Sequence, residues 1–143
     1  MQTDITLSNG LESFNLIDNT GKKWGEIAFN PSDPALLVRF SEVLDEIGKI
    51  NIDISDEMTL FEQIAALKKA NDKIESCFDY LFGAGSSKQI FSAVSACSIL
   101  PDGSFMFEQM LEKIADIMNV STKKRASVSR ELIKKYTRKY AKK

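Results

Sequence analysis

The 143-residue chain contains no histidine. That removes the side chain whose ordinary pKa lies nearest neutrality, the usual base beside a Ser or Cys nucleophile, and the commonest zinc ligand. Cysteine is scarce too. Cys77 and Cys97 are too few for a zinc-finger set, and both fall inside apolar helical patterns, so they read as reduced, buried thiols. No apolar run approaches the roughly 20 residues that span a bilayer, so no membrane association is expected. The N-terminus, Met1-Gln2-Thr3-Asp4, has neither a positive n-region nor an apolar h-region, so no signal peptide is read there and the cytoplasm is the expected compartment. No nucleophile–base pair and no metal-ligand set is visible. The expectation is a protein that is not an enzyme and uses no cofactor and no metal.

What is present is ordinary globular composition with an uneven distribution of charge. The chain is 43% hydrophobic and 27% charged, and its length fits one domain with a core. The net charge of −1 conceals an asymmetry. Residues 121–143 hold ten Lys or Arg against Glu131 alone, a net +9, whereas residues 1–120 carry −10. This divides the chain into an acidic body, 1–120, and a basic C-terminal tail, 121–143, of the kind that serves interactions.

Periodicity predicts a mainly α (α+β) fold: an N-terminal β-hairpin, about four helices, and a helix-competent basic tail. Residues 13–18 and Lys23–Phe29 alternate about the turn Asn19-Thr20-Gly21-Lys22 and form the hairpin, which must pack on helices or on a partner to be stable. Asp33 caps a helix with Pro34 at its first position and Leu37, Phe40, Val43, Leu44 and Ile47 on one face, stopping near Gly48. Residues 50–54 read as a linker in preference to a short strand. Ser55-Asp56-Glu57 then opens a long helix to residue 82, about 42 Å in length, with Leu60, Phe61, Ile64, Leu67, Ile74, Phe78 and Leu81 in period. A third helix begins at Ser86 with a Ser86/Gln89 capping box and turns Ile90, Phe91, Val94 and Cys97 to the core. After the turn Pro101-Asp102-Gly103, a fourth helix carries Phe107, Met110, Leu111, Ile114, Ile117 and Met118 and fades at Asn119-Val120. In the tail, Val128, Leu132, Tyr136 and Tyr140 recur every four residues among Lys and Arg, which makes a basic amphipathic helix.

Gly83-Ala84-Gly85-Ser86-Ser87-Lys88 invites a phosphate-binding reading, but it lacks the spacing of a P-loop and follows a helix, so it reads as one helix cap followed by another. The acids Asp53, Asp56 and Glu57 read as the start of a helix, because a calcium site needs about six oxygens. Trp24, and Met106 lying off the stripe of the fourth helix, are left as adaptable contact positions. The tail residues Arg130, Leu132, Lys134, Lys135, Tyr136, Arg138, Lys139 and Tyr140 are the strongest candidates for partner binding. The stripe would lie in a groove of a protein, with the charges at an acidic rim. Nucleic acid is the second choice, with phosphates held by charge and bases stacked on the tyrosines.

Three stretches point to a family. They are Phe29-Asn30-Pro31-Ser32-Asp33-Pro34 running into Phe40, Cys77-Phe78-Asp79-Tyr80-Leu81-Phe82-Gly83-Ala84-Gly85 running into Phe91, and Lys135-Tyr136-Thr137-Arg138-Lys139-Tyr140. In that order they resemble the tail assembly chaperone-like proteins of long-tailed phages and prophages of Gram-positive bacteria. The resemblance spans about residue 13 to the end. It implies a non-catalytic protein of the bacterial host cytoplasm that coats the tape-measure protein and recruits tail-tube subunits, with self-association into a homo-oligomer compatible with that role. It also implies a short and a frameshifted longer form, of which this chain, ending in Lys142-Lys143, would be the short one. Related small proteins in some phages stay in the particle as minor structural components.

Overall fold

A computed structural model gives the fold. It describes residues 2–50 and 55–141, with the side chains of 125–130, 132–133 and 135–141 outside that description. The fold is α+β, an antiparallel hairpin followed by four helices. β1 (Glu12–Ile17) pairs with β2 (Lys23–Phe29) in the register Phe14 to Ile27 and Leu16 to Gly25, with an irregularity after Leu16. Asp18 builds the turn, its Oδ1 accepting from the Thr20 N–H, the Thr20 hydroxyl and the Lys22 N–H. Gly21 supplies the left-handed conformation there, at φ +87°.

Helix α1 (Pro34–Gly48) starts as its sequence dictates. Asp33 caps it by accepting from the Ala35 N–H at 2.9 Å, and Pro34 holds the first position. Its buried face is Leu36, Phe40 and Val43, with Ile47 beside them, while Leu37 and Leu44 are exposed. The stripe is thus rotated by about one residue from the expected one, toward the antiparallel α2, where Glu42 meets Tyr80 and Lys73 approaches Glu46.

Helix α2 (Leu60–Phe82) begins later than Ser55. Thr59 caps it, its Oγ1 accepting from the Glu62 N–H and donating to the Glu62 carboxylate, so the helix starts at the side-chain cap and not at the acids before it. The rod is about 35 Å rather than 42 Å. Ser55–Met58 is a separate turn, and the linker reading of 50–54 falls largely on residues 51–54, outside the described residues.

Helix α3 (Ser86–Ile90) is a single short turn and not the longer helix expected. Its N-cap is Gly85, without a side-chain cap, so the Ser86/Gln89 box does not form. Beyond it the serine hydroxyls bond locally, Ser92 to the Gln89 carbonyl and Ser95 with Ser98, which favours turns over helix. Phe91 and Ala96 reach the core, but Val94 does not. The turn at 101–103 forms as expected, with Asp102 accepting from the Ser104 N–H and hydroxyl.

Helix α4 (Met106–Ala141) departs most from expectation. It does not fade at Asn119-Val120 but continues as one helix of 36 residues, about 54 Å, through the basic segment. Phe107, Leu111, Ile114 and Met118 form its buried stripe, with Met110 and Ile117 half-buried. One core joins all elements. Phe78, Leu36, Ile74, Ile90, Ile114 and Val43 are its largest fully buried side chains. Phe14 stacks on Phe29 at 4.5 Å, and Phe78 meets Phe91 edge-on at 4.9 Å. No helix among the described residues is long and apolar enough to cross a membrane.

Candidate docking surfaces

Trp24 and Met106 are brought together, though not as free contact points. Trp24, on β2, is half-buried, and its indole N–H donates to the Ile90 carbonyl at 3.1 Å. Met106 is buried. The Met106 N–H donates to the Ser98 carbonyl and Phe105 pairs with Ile99, so the chain enters α4 with Met106 already turned beneath the hairpin. Its place off the Phe107 stripe reflects packing against a second element, not availability to a partner. Both residues line one groove of about 330 Å³ between the hairpin and α4, walled also by Phe14, Met110, Ile114 and Ile117, with Lys113 contributing its charge. The lining is apolar with a cationic rim, which suits aliphatic or aromatic side chains.

The tail candidates stand elsewhere. Lys134 is exposed on α4, 28 residues and about 42 Å from Met106 along the same helix. Arg130, Leu132, Lys135, Tyr136, Arg138, Lys139 and Tyr140 belong to α4 by backbone, and their side chains lie outside the described residues. The last described apolar side chain buried on α4 is Met118. Past it, among the described residues, the Ser121 hydroxyl pairs with that of Ser32 and fastens α4 to the turn between β2 and α1.

A second apolar surface was hidden by its own regularity. Leu60, Phe61, Ile64 and Leu67 keep the period of the α2 core yet are exposed, Leu60 at 68% and Phe61 at 84%. α1 ends at Gly48 and reaches only the C-terminal half of α2, where Ala70, Ile74, Cys77, Phe78 and Leu81 are buried. The first three turns of α2 extend past it. Period reports which face is apolar, but not how far a neighbour covers it.

Gly83 (φ +106°) closes α2 as expected, and Gly85 (φ +87°), in place of Ser86, opens α3. Cys77 and Cys97 are free thiols, and burial pushes both upward in pKa, with nearby Glu46 and Glu75 adding to the effect. Among the described residues no three Cys, Asp or Glu side chains converge as a metal site. Compared with known protein families, with curated proteins and with solved structures, the chain matches none.

Proposed function

We propose that the chain is a non-catalytic, tail-assembly chaperone-like protein of a phage or prophage, which binds tape-measure and tail-tube proteins while the tail is built. The sequence resemblance raises this reading. Two of its three stretches are the joints of the body, β2 into α1 and α2 into α3, and the third is the end of α4. The observation that carries the reading is the continuity of α4, which projects residues 121–141, with a net charge of +7, as a helix about 34 Å beyond Met118. A long basic helix with an apolar residue every four positions suits a helical, acidic protein client. The bare turns of α2 add apolar contact area to the same molecule.

The test uses the recombinant chain with the tape-measure and tail-tube proteins encoded beside its gene. Co-elution with either, weakened by salt and by removal of 121–143, supports the reading. A gene neighbourhood lacking both overturns it. So does binding of DNA or RNA alone, with a steep salt slope lost on the same truncation, which would establish the nucleic-acid alternative.

A further inference from the structure

We propose that the N-terminal arm of one copy, residues 4–8, adds as a strand to the open edge of β1 in a second copy and sets Ile5 and Leu7 into the groove between hairpin and α4. This does not rest on the tail-assembly reading.

The arm has the residue pattern of a strand. Ile5 and Leu7 are 82% and 81% exposed, and they alternate with Asp4, Thr6 and Ser8. In an extended segment, residues two apart share one face, so both aliphatic side chains point the same way. The receiving side is equally incomplete. The sheet has two strands, so β1 has β2 on one edge and no strand on the other among the described residues. One face of β2 is covered at Gly25, where an added Cβ would stand 3.1 Å from the Gln89 carbonyl. An open edge offers N–H and C=O groups to an added strand. Residues 14–17 of that same β1 line the apolar groove, and its volume of about 330 Å³ gives room for two aliphatic side chains.

The arm of a copy is held away from that copy's own groove. Gly10 is left-handed (φ +69°), and a Cβ there would collide with the Asn30 side-chain amide. Asn9 and Leu11 line a different cavity, with Asn30, Arg39 and Tyr80, and no arm residue lines the hairpin–α4 groove. A surface that gives an arm and another that receives one make a head-to-tail contact, which extends into chains or closes into rings. Five arm residues are far fewer than the roughly 20–30 a side of a standard interface, so the contact is weak and concentration-dependent.

Sedimentation velocity on the full chain, from micromolar to millimolar, tests this. The mean mass is expected to rise with concentration past the dimer. The double variant Ile5→Asp/Leu7→Asp, altered only at exposed positions, stays monomeric with an unchanged circular dichroism spectrum. A synthetic peptide of residues 2–9 is then titrated onto that variant, whose groove is intact. Trp24 is the single tryptophan and lines the groove, so its fluorescence reports occupancy. A saturable change with the native peptide, and none with the Asp-substituted one, is expected. A wild-type monomer at every concentration overturns the proposal, and is also what an arm folding back on its own β1 through Asn9-Gly10 would give. Association unaffected by the double variant, or an unresponsive Trp24, overturns it as well.

Discussion

Asp79 joins two helices through two different oxygens: its backbone carbonyl accepts from the Gly83 N–H at 2.8 Å and ends α2, and its carboxylate accepts from the Ser87 N–H at 2.8 Å and starts α3. Ser87 is buried, so its N–H has little access to water if the carboxylate is removed. Asp79→Ala is therefore expected to cost about 1–2 kcal/mol, the usual cost of losing a helix cap. Asp79→Asn keeps an acceptor and recovers most of it. Urea unfolding reads the difference. With a slope of about 2 kcal/mol/M, the Ala variant lowers the midpoint by about 0.5–1 M. An Ala variant with the wild-type midpoint would mean that the carboxylate carries no weight.

That joint also shows what local sequence conveys and what it does not. The Gly83 cap, the Asp33-Pro34 helix start and the Asp102 turn are legible because donor and acceptor lie within four residues. The cap on Ser87 comes from eight residues away, and Ser86 offered a local alternative that did not form. Coverage is the other illegible quantity. Ile64 and Ile74 have the same character and lie in period on one helix, yet α1 stops short of the first and seals the second. For the candidate surfaces, charge located the tail, but the Trp24–Met106 groove depends on how the hairpin crosses α4, which no spacing encodes.

The pH response follows from two exposed turn carboxylates. The Thr20 hydroxyl holds Asp18 below its ordinary value of 3.8, and the Ser104 hydroxyl does the same for Asp102. Each group binds a proton more weakly folded than unfolded, so its stabilisation is present above about 4 and disappears as pH falls through the lower folded value. Burial raises Cys77 and Cys97 above 9.0, so their contribution is lost on the alkaline side, as pH rises from that value through the higher folded one. Without histidine, no side chain has an ordinary pKa between 5 and 8. The thermal midpoint is expected to be level from pH 5 to 8 and to fall outside about 4 and 9. Asp18→Asn with Asp102→Asn should flatten the acid limb. A midpoint that changes steeply between pH 5 and 8 would contradict this assignment.

Removing residues 121–143 separates the two roles of α4. Met118 is its last buried apolar side chain among the described residues, and past that point the Ser121–Ser32 hydroxyl pair is the described tie to the body. The basic segment is helical because it grows from a helix already nucleated by the core, which removes the unfavourable first turn. Its crowded Lys and Arg residues repel one another, so it contributes little stability of its own. The truncated chain is expected to unfold cooperatively, with a loss of no more than about 1 kcal/mol, the scale of surface changes. Its circular dichroism should lose the signal of the 21 helical residues from 121 to 141. In the full chain, Val120→Pro, at an exposed position, should weaken the helix at the same point while the body stays folded. Loss of cooperative unfolding on truncation would show instead that the distal half of α4 belongs to the core, and would undo the division between an acidic body and a basic recognition helix.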